Sequence, residues 1–178
     1  GPALEKIAEK KAGIIKRGVP VVCAPQPKPI KKILKKAAED LNAPIIVAGE
    51  DFNFTYRFES SRAFGPQSRI CVTTSRNRFD HVLVPLLGEH QATNCTVALG
   101  VLDQLKLRGM AIDNETAVAG LSKVRMVGRM EMIRETPRIL VDVAHNAASI
   151  EALMRAIGQN IRYDSMVLIF GCCSDKDI

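Results

Sequence analysis

Residues 138–154, RILVDVAHNAASIEALM, leave the chain few choices of fold. Ile139, Leu140 and Val141 form a short aliphatic run of the kind that makes a strand buried on both faces. Asp142 ends the run and His145 and Asn146 follow within a turn. Ile150, Leu153, Met154 and Ile157 then recur at helical spacing. A strand, a polar turn and a helix in that order put Asp142 and His145 at the carboxyl end of a strand. In α/β sheets that is where ligands bind, and the adjacent helix N-terminus favours anions.

The same alternation fills the first fifty residues. Leu4, Ile7 and Ala8 mark the inward stripe of a first helix, which Gly13 would end as a C′ glycine. Val19 to Ala24 and Ile45 to Ala48 read as short strands. Between them Pro29 opens a helix with Ile30, Ile33, Leu34, Ala37, Ala38 and Leu41 on one face, and Asn42 to Pro44 stops it. Helix, strand, helix, strand is the βαβ-like order of a mostly parallel sheet covered by helices. Residues 50–78 break this pattern. Alternating segments around Phe52 to Phe58 and Ser68 to Thr74, separated by a Gly65–Pro66 turn, predict antiparallel strands or a hairpin appended to the sheet. Val82 to Val84 continues as a strand, with His81 read as a surface residue. A long helix follows through Val97, Ala98, Val101, Leu102 and Leu105, then another from Asp113 or Asn114 to about Leu121. Strands are expected at Met130–Ile133 and, buried, at Met166–Phe170.

Composition narrows the class. With 178 residues and 47% hydrophobic content, the chain can build one large or two small packed domains. Its net charge of +6 raises the question of nucleic acid, but 4% aromatic content without tryptophan offers no stacking platform. Much of the excess sits in Lys28, Lys31, Lys32, Lys35 and Lys36, the solvated face of one helix, and an anionic small molecule is the better alternative partner. No apolar run approaches the roughly 18 to 20 residues of a membrane span and no segment resembles a signal peptide, so cytoplasmic residence is the default expectation. The five cysteines lack paired metal-binding spacing and read as reduced structural thiols.

Three further places carry candidate chemistry. Lys11 falls at i+7 of the stripe begun by Leu4, an ammonium where the pattern asks for an apolar group. It either snorkels at the helix end or is desolvated, with a lowered pKa that makes the amine a nucleophile or lets it react with carbon dioxide to give a carbamate. Glu89, His90, Gln91 and Asn94 open the long helix, where His90 and Asn94 at i and i+4 share one face. Helix capping is the plain alternative there. Gly128 allows close backbone approach to a ligand, and Arg129 offers a fork that fits phosphate oxygens.

Taken together these segments resemble a known family. IAEKKAGIIKRGVPVV at 7–22, LLGEHQATNCTVAL at 86–99, VGRMEMI at 127–133, VDVAHNAASIEAL at 141–153 and FGCCSDKD at 170–177 look like folylpolyglutamate synthase and dihydrofolate synthase, members of the wider Mur ligase group. The resemblance implies an α/β chain: part of a central ATP-binding domain over 1–122, followed by part of a Rossmann-like C-terminal domain over 123–178. It implies activation of a folate or pterin carboxylate as an acyl phosphate by ATP with Mg2+, then attack by the amino group of L-glutamate. Lys11 matches a lysine that is carbamylated in some members to help hold magnesium. His90, Gln91 and Asn94 match a nucleotide-proximal motif, with Asn94 facing adenine. Arg129 matches an arginine that reaches ATP phosphates, and Asp142 and His145 match a motif that closes over the nucleotide and supports the acyl phosphate. Lys176 and Asp177 match a rim motif. The implied partners are small molecules, namely ATP, L-glutamate and folate or dihydropteroate, with no nucleic acid, no membrane and a monomeric chain.

The sequence departs from the family pattern at Lys10, Val127, Val143 and Ala147, where glutamate, proline, glycine and proline are usual. It also lacks the glycine-rich phosphate loop. The expectation is therefore an internal fragment of a longer ligase that does not ligate glutamate unaided. Two other readings are a fragment of a Mur-type peptidoglycan ligase, and a non-catalytic α/β binding protein that keeps the shell without the phosphate loop.

Overall fold

The structure, a computed structural model, describes residues 2–61 and 65–173. The expected contribution of Lys176 and Asp177 lies outside the described residues. In chain order the elements are α1 (Pro2–Ala12), β1 (Val21–Cys23), α2 (Lys28–Asp40), β2 (Ile45–Val47), β3 (Asn53–Ser61), β4 (Gly65–Thr73) and β5 (Arg78–Val84). They continue with α3 (Glu89–Leu107), α4 (Asn114–Ser122), β6 (Glu131–Glu135), β7 (Arg138–Val141) and α5 (Ala147–Asn160). The chain divides into two compact units, each built from three segments. One holds 1–55, 72–79 and 94–113, and the other holds 56–71, 80–93 and 114–178.

In the first unit, β1 and β2 pair in parallel with Val21 opposite Ile45 and Cys23 opposite Val47, and α2 is the crossover between them. This is the expected βαβ arrangement. Pro27 caps α2 and proline occupies its first turn, where the missing N–H costs nothing. The helix stops at Asn42, whose φ of +48° is left-handed, with Ala43 N–H donating back to the Ala38 carbonyl. The lysine face of α2 is not wholly solvated: Lys31 and Lys35 both pair with Glu50, and the Lys31 hydrogen bond is the main reason the Glu50 carboxyl sits below its ordinary pKa.

α1 packs on α2, but through a different stripe from the one the sequence suggests. Ala8, Ala12 and Ile15 are buried, and Ala12 and Ile15 join Ala38 and Ala43 in a small core, whereas Leu4 and Ile7 are 56% and 53% exposed. Lys11 therefore lies on the exposed side of α1, which corrects its expected inward position. Small side chains let two helices approach closely, and that contact outweighs the size of Leu4 and Ile7. Gly13 follows α1 without a left-handed backbone. The helix instead ends in short turns from Gly13, Ile14 and Ile15 N–H to the carbonyls three residues back.

Strands β3, β4 and β5 form one sheet in that order. The expected strands are there, longer than anticipated, with Gly65 inside β4. β6 and β7 pair antiparallel, Glu131 opposite Val141 and Glu135 opposite Arg138, with a bulge between Met132 and Arg134. The expected buried strand at 166–170 is not formed. Those residues have no regular structure, and Val167 and Ile169 are 90% and 94% exposed. A strand exists only through a neighbour's backbone groups, and among the described residues β6 and β7 pair only with each other. None of the described helices is long and apolar enough to cross a membrane.

Candidate functional site

The second unit gathers most of the residues singled out above. β5 delivers the chain to a turn ending at Gly88, and α3 begins at Glu89. Gly88 has φ +99°, and a Cβ there would stand 2.8 Å from the His90 ring and 3.3 Å from the Ala156 Cβ, so both the backbone and the space demand glycine. Leu87 packs beside Met130, Leu153, Ala156 and Ile157, a cluster that also takes in Leu140 and Ala144. The entry to α3, the hairpin β6–β7 and α5 thus share one apolar core.

On that core stands a polar framework made of backbone hydrogen bonds. Asp142, at the end of β7, accepts from Met130 N–H at 2.9 Å through Oδ2 and from Ala144 N–H at 2.8 Å through Oδ1. Val143 N–H donates to the Gly128 carbonyl at 2.9 Å, and Gly128 N–H donates to Glu131 Oε2 at 2.7 Å. These bonds fasten the 128–130 turn to the end of β7. Met130 is left-handed there, at φ +49°, and a Cβ on Gly128 would come within 2.8 Å of the Val143 side chain. Arg129, at the tip, is exposed. Val143 is accommodated in this turn because residue 128 is a glycine.

α5 starts with a reciprocal cap. Asn146 Oδ1 accepts from Ser149 N–H, and Ser149 Oγ accepts from Asn146 N–H. The adjacent His145 is exposed, with Nδ1 2.9 Å from the Val143 carbonyl. A carbonyl only accepts, so Nδ1 carries the proton and Nε2 is the free acceptor of the neutral ring.

At the start of α3, His90 is half-buried and Gln91 is 2% exposed. Burial pulls the His90 imidazole below its ordinary pKa and the Arg129 charge adds to this, while Asp142 and Glu89 oppose it. His90 therefore responds to Arg129 and Asp142 together. Gln91 Oε1 is buried without a hydrogen-bond donor among the described residues. Glu89 receives the Tyr56 hydroxyl, whose pKa is raised first by burial and then by that hydrogen bond. A cleft of about 180 Å3 beside them is lined by Glu89, His90, Ala152, Arg155, Ala156 and Gln159.

Of the expected residues, His90, Gln91, Arg129, Asp142 and His145 fall in this unit, while Lys11 and Asn94 fall in the other and are both exposed. Tyr56, Arg155 and Gln159 were not foreseen. Tyr56 sits on an alternating strand that carries no recognisable motif, and Arg155, which pairs with Glu151 one turn before it on α5, belongs to no motif either. Among the described residues no three His, Cys, Asp or Glu side chains converge as a metal site would require.

Comparison with known proteins places this arrangement in a class. Residues 128–178 match the family described as Mur ligase, glutamate ligase domain. The chain is 30% identical over its whole length to the dihydrofolate synthase/folylpolyglutamate synthase of Mycobacterium tuberculosis, covering 37% of that protein. It is 27% identical to the protein of the same name from Bacillus subtilis, over 99% of this chain and 40% of that protein. A solved complex of FPGS with AMPPCP and folate superposes with a TM-score of 0.79 at 26% identity, over 88% of this chain and 37% of that one. The class these matches point to is the Mur ligases. Within it, the chain is similar over its whole length to folylpolyglutamate and dihydrofolate synthases, and it spans about 40% of the length of the curated relatives it matches. The fold is the α/β arrangement of those structures.

Proposed function

We propose that the chain contributes one side of the nucleotide site of an ATP-dependent ligase that joins L-glutamate to folate or dihydropteroate. The observation that carries this reading is the fastening of the 128–130 turn by Asp142, which presents an exposed Arg129 within electrostatic reach of His90. An arginine held on a rigid turn suits phosphate oxygens, because its planar fork makes paired charge-assisted hydrogen bonds. The N-terminus of α5 adds the positive end of a helix beside His145.

The residues fit ATP on a second ground. The buried Gln91 carbonyl oxygen calls for a donor, and an adenine amino group or a ribose hydroxyl is of that chemistry. ATP supplies the phosphoryl group that turns a carboxylate into an acyl phosphate, from which the amine of L-glutamate displaces phosphate. In this assignment Arg129 binds phosphate oxygens and His90 and Gln91 lie on the nucleotide side. Asn94 meets adenine, and Asp142 positions Arg129 while flanking the same site. His145 offers Nε2 toward the acyl phosphate. The domain boundary is assigned near residue 122, supported by a ligase-domain match that begins at residue 128.

Magnesium fits less well. The described residues assemble no metal site, and Lys11 is exposed, so a carbamate on Lys11 would need ligands from elsewhere.

Expressed with the rest of its reading frame, the protein should release ADP from ATP only when both folate or dihydropteroate and L-glutamate are present. Arg129→Ala should cut that turnover at least about tenfold through lost phosphate stabilisation. ADP release that ignores glutamate would overturn the ligase reading, and unchanged turnover in the variant would remove the Arg129 assignment.

A further inference from the structure

Away from the nucleotide-side residues, one nucleophile stands beside a base. Cys71 on β4 has its Sγ 3.8 Å from Nδ1 of His81 on β5, and the same sulfur accepts the His81 backbone N–H at 3.3 Å. His81 is left-handed at φ +56°, a conformation uncommon for a residue other than glycine, and through it one residue directs both a ring nitrogen and a backbone donor at one sulfur. Arg69, two residues before Cys71, donates to Glu59 at 2.6 Å and to the His81 carbonyl at 3.5 Å. Its guanidinium is held charged first by Glu59 and also gains from negative charge on Cys71. Glu59 is itself engaged by Arg57 as well as Arg69, so its charge is offset by two cations. The groups around the Cys71 sulfur are therefore an imidazole nitrogen, a backbone donor and a guanidinium.

The other thiols differ. Cys23 and Cys95 are buried, and burial pushes their pKa values up, that of Cys95 to about 11. Cys172 and Cys173 are exposed. Cys71 is half-buried beside an exposed His81, open to a small reagent.

We propose that Cys71 is a modification site that exchanges with small disulfides, with His81 as its base. The thiol proton passes to the His81 ring, and the thiolate attacks one sulfur of the disulfide. A new S–S bond forms as the old one breaks, and the departing thiolate takes up the proton. The products are a mixed disulfide on Cys71 and one equivalent of free thiol, with no other oxidant needed.

The test is to expose the chain to glutathione disulfide at pH 7 and follow each cysteine by peptide mass spectrometry. Cys71 should gain glutathione about tenfold faster than Cys172 or Cys173. His81→Asn, which keeps a residue tolerant of the left-handed backbone, should slow Cys71 about tenfold while leaving the rates at Cys172 and Cys173 and the far-ultraviolet dichroism unchanged. A Cys71 rate equal to those of Cys172 and Cys173, or one indifferent to His81→Asn, would overturn the proposal.

Discussion

The two strand pairs at either end of the chain solve the same problem differently. β1 and β2 are parallel, joined through α2; Val21 and Ile45 pack against a core of Ala12, Ile15, Ala38 and Ala43, and β2 ends in Val47, fully buried. β6 and β7 are antiparallel and leave Ile133, Ile139 and Val141 at least 37% exposed, and what fixes their geometry is a set of backbone hydrogen bonds to Asp142 and Glu131. Parallel pairs are as a rule covered on both faces, whereas an antiparallel hairpin tolerates one wet face. The first region is held mainly by apolar packing, and the second hands much of that work to polar side chains that also organise the candidate site.

Breaking each region at its own support should separate the two. The largest effect is expected at Ile15→Ala, which opens a void in the first core and should cost about 2–4 kcal/mol in denaturant unfolding. Asp142→Ala strips the acceptor from two backbone N–H groups at once. It should cost about 1–3 kcal/mol and, unlike Ile15→Ala, should also weaken binding of a nucleotide analogue, because Arg129 loses its anchor. Similar binding losses in the two variants would erase the distinction. Asn146→Ala removes the α5 cap and should cost about 1 kcal/mol.

The smallest effect concerns pH. The folded-state pKa of His90 is depressed, so between that value and the ordinary 6.5 the unfolded chain binds more protons than the folded one. Stability contributed by His90 is thus present above about pH 6.5 and lost as pH falls toward the folded value. Chemical melts at a series of pH values should show this slope in the wild type and a shallower one in His90→Gln.

What could be read from sequence divides along the same line. α2 and α5 announce themselves by wide apolar stripes and by Pro29 and Asn146 at their starts, and both lie where periodicity puts them, to within a residue or two. The strand-turn-helix order at 138–154 is formed, but the strand is not buried on both faces as its aliphatic run suggests: among the described residues it pairs with β6 alone and leaves Ile139 and Val141 40% and 37% exposed. α1 was legible as a helix but not in its orientation, because Ala8 and Ala12 signal close packing only once α2 is known to lie against them. Met166–Phe170 reads as a buried strand by composition, yet strand formation depends on a partner that no local pattern specifies. For the site, residue identity pointed to His90, Arg129 and Asp142. It could not reveal that Asp142 reaches back to the Met130 N–H, or that Tyr56 reaches Glu89, since these contacts join residues 12 and 33 positions apart through tertiary packing.

The double grip of Asp142 has a consequence for affinity. Ordering a free backbone costs on the order of 1–2 kcal/mol per residue, and a loop that froze only when an anion arrived would subtract that sum from the strength of binding. In the 128–130 turn the cost is met during folding, by bonds internal to the protein. Under the proposed phosphate role of Arg129, only the torsions of its side chain would be left to settle when the anion arrives, so a short, exposed turn would act as a stiff receptor.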